Sequence, residues 1–173
     1  MLEQQVTIVA EEVEALRQRI IANMRSQGAV ASGRTINSLR VDREKDGAML
    51  VSDSRMPFGV LETGRRGGRV PMGFQEVILQ WMRDKGVSGT PIPYTTNRQH
   101  KYTPQERGDR SLAYLISRKI RREGTRLFRE GGRDTIYSQE IPKTMQRVEE
   151  RVTALVSAYV DEQIKLNIKG GEE

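Results

Sequence analysis

Residues 38–53 read SLRVDREKDGAMLVSD. Leu39 and Val41 alternate with polar residues on one arm and Met49 and Val51 do so on the other, with Asp46-Gly47 between them as an Asp-Gly tight-turn signal. The segment predicts a β-hairpin in a chain whose other patterned segments are helical. The expected class is therefore α+β: a small antiparallel sheet, led by this hairpin, packed against long N-terminal and C-terminal helices, with a helical and loop insertion.

Upstream of the hairpin, Val6, Val9, Val13, Leu16, Ile20, Ile21 and Met24 recur at helical spacing and predict one apolar stripe that Gly28 terminates. Downstream, Thr63-Gly64-Arg65-Arg66-Gly67-Gly68-Arg69 is rich in residues free to take positive φ and predicts a mobile loop. Val77, Ile78, Trp81 and Met82 predict a short helix closed by Gly86, with Trp81 docking it onto the core. Residues 88–110 hold Pro91, Pro93 and Pro104 with little apolar periodicity and predict a long polar loop that is either functional or ordered only by a partner. Asp109 or Ser111 is expected to cap the next helix, where Leu112, Leu115, Ile116 and Ile120 face one way and Gly124 ends it. Gly131-Gly132 reads as a turn and Ile136-Tyr137 as a short extended segment. The last helix, about 142–165 with Pro142 in its first turn, carries Met145, Val148, Val152, Leu155, Val156, Tyr159, Val160 and Ile164 on one stripe. Burial of that stripe would make it a main prop of the fold, followed by a frayed tail over 169–173.

The 173 residues are expected to form a single domain, with core segments 6–64 and 124–168 and a helix–loop–helix insertion at 65–123, whose helices fall within Phe74–Gly124. No apolar run reaches the roughly 20 residues of a membrane span. The acidic start at Glu3, Glu11, Glu12 and Glu14 is unlike a secretory leader, so a complete, cytoplasmically made protein is expected.

The absence of cysteine excludes disulfides and thiolate chemistry, and a lone histidine, His100, cannot anchor a multi-histidine metal centre. No phosphate-loop signature is present, and Asp53 and Glu62, the one pair of carboxylates beside an apolar segment, read more simply as caps or ion-pair partners. No catalytic residue, cofactor or metal ligand is assigned, and an enzyme is not expected. A net charge of +6 admits a polyanionic partner or the generally charged surface of an assembly subunit. The candidate contacts are Arg65, Arg66 and Arg69 in the glycine-rich stretch and Arg118, Lys119, Arg121 and Arg122 on a helix face. A helix-turn-helix reader fails because Gly89, Pro91 and Pro93 occupy the place where its second helix would begin.

Two short motifs flank the hairpin: Ser32-Gly33-Arg34-Thr35-Ile36-Asn37-Ser38-Leu39 before it, and Phe58-Gly59-Val60-Leu61-Glu62-Thr63-Gly64 after it. Their order resembles the head-tail joining or tail-completion neck proteins of tailed bacteriophages. In that family a long helix precedes a Thr/Ser-Gly-x-x-x-x-Ser motif, a strand pair and a Glu-x-Gly segment, before a C-terminal helix. Ser32, Gly33, Arg34, Asn37 and Ser38 match the first motif, Glu62 and Gly64 the second, and Phe58 the aromatic that precedes it. The span 65–123 is longer than the family pattern, and 125–129 lacks the proline usual there. The resemblance implies a virion structural protein in the neck, made in the host cytoplasm. Copies would form a six-fold or twelve-fold ring between portal or adaptor and tail proteins, with DNA in passing contact and no membrane. Glu62 would meet an arginine across such a ring, or act as a local cap. The alternative is an accessory protein that binds DNA non-specifically through the arginine-rich loop and basic helix face.

Overall fold

The computed structural model describes residues 1–53, 58–95 and 100–170. The chain forms two compact units, one of Met1–Gly28, Thr35–Arg55 and Asp134–Glu173, the other of Ala29–Arg34 and Met56–Arg133. Residues 58–64 and 124–133 thus group with the segment 65–123 between them.

The first unit is built on α1 (Leu2–Ser26), which buries Leu16, Ile20, Ile21 and Met24 of the expected stripe, leaves Val6, Val9 and Val13 half-buried, and buries Ala10 as well. Gly28, at φ +62, follows its end, and its N–H bonds back to the Arg25 carbonyl at 3.1 Å. A one-turn helix, α2 (Arg34–Ser38), leads into β1 (Leu39–Glu44), which pairs antiparallel with β2 (Gly47–Ser52). Both strands pack on α1. The hairpin is as expected, but its turn is Lys45-Asp46, with Gly47 paired to Glu44 as the first residue of β2. Neither turn residue has positive φ, so the glycine is not used for left-handed backbone. The register sets Val41 opposite Leu50 and Asp42 opposite Met49. Leu50, not Met49, therefore shares the face of Leu39 and Val41, and Met49 is exposed.

The closing helix of this unit, α7 (Glu140–Gly170), runs antiparallel to α1: Arg151 pairs with Glu11 at 2.6 Å and Glu12 at 2.9 Å, and Arg19 lies against Glu140 at 3.0 Å. Ile136 is fully buried just before it, in a turn and not an extended segment, because the Tyr137 carbonyl accepts from the N–H groups of Glu140 and Ile141. Only part of the α7 stripe is covered. Val148, Val152, Leu155 and Val156 are half-buried, whereas Met145, Tyr159, Val160 and Ile164 are exposed. The helix passes the expected end and includes Gly170; residues 171–173 of the expected tail lie outside the described residues.

The second unit centres on α4 (Phe74–Lys85) and α5 (Pro104–Glu123), which bury Ile78, Leu79, Met82 and Ala113 against one another. Gly73 and Gly86 bound α4 in left-handed conformations. Trp81 does not dock the helix. It is 40% exposed beside Val77, because the Ile78–Leu79–Met82 stripe faces the core and leaves Val77 and Trp81 on the other side. On α5, Leu112, Ile116 and Ile120 pack against this cluster, but Leu115 is exposed on the side of Arg118.

The expected polar loop is largely a strap laid along an earlier start of α5. Thr103, not Asp109 or Ser111, caps the helix in a reciprocal box with Glu106, and Pro104 takes its first turn. Asp109 instead accepts from the Gly89 N–H at 2.7 Å, Gln105 donates to the Gly89 carbonyl, and Ile92 N–H donates to the Pro104 carbonyl. Tyr94 and His100 stack with ring centroids 4.2 Å apart. Residues 96–99, also within that expected loop, lie outside the described residues.

Candidate functional site

The glycine- and arginine-rich stretch is hydrogen-bonded into the second unit along the C-terminal end of α5. Arg65 N–H donates to Thr125 Oγ1 at 2.9 Å, Thr125 N–H returns a bond to the Arg65 carbonyl at 2.8 Å, and Gly68 N–H donates to the Arg121 carbonyl at 2.7 Å. The last of these bonds occupies a carbonyl that the C-terminal end of α5 leaves without an intrahelical partner. The glycines permit the approach. A Cβ at Gly124 would lie 2.7 Å from the Arg65 carbonyl oxygen, and one at Gly67 would lie 3.0 Å from that of Arg122.

The Glu-x-Gly motif forms the start of this strap. Glu62 and Thr63 belong to the short helix α3 (Val60–Thr63), and Gly64 ends it at φ +69. Gly64 is buried against Thr125 and Phe128 of the α6 turn (Arg126–Arg129), whose cap is Thr125. Arg133 N–H donates to the Glu62 carbonyl at 2.8 Å and its Nε to the Leu61 carbonyl at 3.0 Å, so an arginine closes the end of α3 through the backbone. Glu62 itself is only 3% exposed and sits inside the unit, not on its surface. Phe58 is half-buried, and its carbonyl accepts from Leu61 N–H.

The first motif is a local corner. Gly33 turns at φ +77, Ser32 Oγ accepts from the N–H and Nε of Arg34, and Ser38 donates to the Thr35 carbonyl at 2.9 Å while facing Ser52 Oγ across the hairpin. Asn37 and the Arg34 side chain are exposed. Asp53 pairs with Arg40.

The two candidate basic groups, far apart in sequence, meet where the strap crosses α5. Arg65 is committed to the scaffold: it donates to the Arg69 carbonyl at 3.0 Å and lies over the Phe74 ring at 5.4 Å. Arg122 pairs with Glu123, which also takes Arg129 at 3.2 Å. The Arg122 hydrogen bond is the first cause holding the Glu123 carboxyl below the usual range. Arg66, Arg69, Arg118, Lys119 and Arg121 are exposed; the side chains of Arg66, Arg69, Arg118 and Arg121 have no hydrogen-bond or ion-pair partner among the described residues, while Lys119 lies near enough to Glu123 to help hold its carboxyl down. Arg69 and Arg121, with Gly68 and Val70, line an open cleft of about 630 Å³.

The convergence was not readable from either basic cluster alone. The signal for it is the glycine pairing: Gly64 and Gly67 upstream and Gly124 downstream mark a place where two backbones touch. Among the described residues no group of three or more His, Cys, Asp or Glu could hold a metal ion, and no helix is long and apolar enough to cross a membrane. No family model, curated protein or solved structure matches the chain.

Proposed function

We propose that the chain is a structural subunit of the head-to-tail connector of a tailed bacteriophage, copies of which form a ring between portal and tail. The motif order around the hairpin supports this reading, and the end of α7 is the single structural observation that carries it. α1 begins about two and a half turns before Glu11, while α7 continues about five turns beyond the partner of Glu11, Arg151. Every described side chain from Ser157 to Ile168 is accordingly exposed, including Tyr159, Val160, Ile164, Leu166 and Ile168. An apolar stripe that continues past its own partner is the surface expected of a subunit whose neighbours complete it.

Light scattering on the purified chain across concentration, followed by electron microscopy of any closed species, tests the reading. A defined oligomer of six or twelve copies, broken by Val160→Asp with Ile164→Asp, is the expected result. A monomer at every concentration that also binds neither portal nor tail proteins would remove its basis.

A further inference from the structure

We infer that the crossing of the glycine–arginine strap over the end of α5 is a binding site for the phosphate backbone of duplex DNA, with Arg69 and Arg121 at its centre. This goes beyond the ring assignment and does not depend on it. Basic residues at the last turn of a helix have an ordinary role in offsetting the negative end of the helix dipole. That role covers Arg121 and Arg122 but leaves Arg66 and Arg69 unexplained, since these come from a different segment. The strap brings them there through the Gly68–Arg121 backbone bond, and Gly67 and Gly124 allow no side chain between the two backbones.

The electrostatics point the same way. The nearest acidic side chain in sequence, Glu123, is already held by Arg122 and Arg129, so it does not neutralise Arg69, Arg118 or Arg121. Arg66, Arg69, Arg118 and Arg121 have no carboxylate partner among the described residues, and Arg69 and Arg121 line an open cleft with no acidic group among the described residues of its lining. Arginine is suited to this ligand, because its planar fork matches phosphate oxygens in pairs. Two features select the class of partner. The cleft has no aromatic residue among the described residues of its lining, which offer no stacking platform for single-stranded bases. Val70 is the one apolar side chain among the described residues that line it, and these residues supply no buried anchor of the kind on which a protein interface concentrates its energy. A rigid, regularly charged rod read through its backbone is the ligand these properties fit.

The test is fluorescence anisotropy of a short labelled duplex with the full chain, titrated from about 50 to 200 mM salt, where counterion release dominates. Arg69→Ala with Arg121→Ala is expected to weaken binding about tenfold and to lower the slope of log affinity against log salt by about 2. Arg43→Ala with Lys45→Ala removes the same charge from the exposed hairpin turn and is expected to stay within about twofold of the parent. Should the alanine pair perturb folding, as judged by circular dichroism, Arg66→Glu with Arg118→Glu reverses charge at two exposed sites and is expected to weaken binding further. Absence of duplex binding by the parent chain, or equal losses in the hairpin control, would overturn the proposal. So would displacement of the duplex by polyglutamate at matched charge, which would assign the cations to an acidic protein.

Discussion

Gly89 and Gly108 cross so closely that a Cβ on Gly89 would collide with the Gly108 carbonyl, and one on Gly108 would collide with the carbonyl of Thr90. Both glycines are buried, and Gly108 lies within α5. At an exposed helical position, replacing glycine by alanine stabilises by about 1 kcal/mol, because the backbone loses less freedom on folding. Here the collision is with backbone, which cannot swing aside. Gly108→Ala is therefore expected to destabilise the second unit by about 1–3 kcal/mol despite its better helix propensity. Urea unfolding followed by circular dichroism measures the sign, and a stabilised variant would show that the strap yields.

Gly64 carries two costs at once. It has φ +69 and is packed against Phe128 and Thr125, whereas Gly28 has a similar φ of +62 with open space around its Cβ position. Alanine at either site takes on positive-φ strain on the order of 1–3 kcal/mol, and more of it at Gly64, whose ψ of -175 places it in a region essentially reserved to glycine. Only Gly64→Ala also forces the strap off the α6 turn. It should lose clearly more stability than Gly28→Ala in the same urea series, and equal losses would mean that the strap–α6 contact contributes little.

The hairpin and both long helices were legible because each rests on a period that the chain repeats within a few residues. Leu39–Val41 and the stripe from Val6 to Met24 needed no distant partner to be seen. The strap of residues 88–95 and 100–103 reads in sequence as a polar loop because its order comes from contacts with the helix beyond it: Gly89 on Gly108, Gln105 and Asp109 on Gly89, and Ile92 on Pro104. Polar composition and prolines describe such a segment equally well whether it lies on a helix or in solvent. The start of α5 lies ahead of the expected one for a related reason. Thr103-Pro104-x-Glu106 is a complete capping signature, yet the apolar stripe of the helix begins only at Leu112. The Glu62–Gly64 motif was visible as residues but not as a contact, since its backbone partner, Arg133, lies far along the chain.

The phase of α4 makes a further prediction. Val77 and Trp81 offered one apolar edge, and Ile78, Leu79 and Met82 another, and burial settles on the second. Met82 is 1% exposed, so Met82→Ala should cost about 2–5 kcal/mol through lost contacts and the cavity left behind. Trp81→Ala should cost less than half as much despite the larger side chain. As the sole tryptophan, Trp81 should also emit at the red-shifted wavelength of a partly wet indole, and a blue-shifted spectrum in the monomer would contradict its position.

Two carboxylates of the first unit tie its stability to acid pH. Glu140, at the start of α7, is held below the ordinary value of 4.5 chiefly by its hydrogen bond from Lys143, with Arg19 nearby. Glu14, on α1, is held down by Arg17 and then Gln18, and Arg17 in turn reaches the Leu39 carbonyl of β1 at 3.4 Å. Because folding lowers both values, the unfolded chain binds more protons across this range. The stability they contribute is therefore fully present above 4.5 and is lost as pH falls through the lower, folded values. Urea midpoints should change little from these two groups between about pH 7 and pH 6 and fall once the carboxylate range is entered. Glu14→Gln with Glu140→Gln removes both titrations, so its midpoint should fall less steeply with acid than that of the parent. Lys143→Ala should flatten the curve part of the way, because Arg19, whose Nη2 also donates to the buried Thr144 at 2.8 Å, still faces Glu140. Identical acid profiles for the parent and the double glutamine variant would place the acid sensitivity in other carboxylates of the chain.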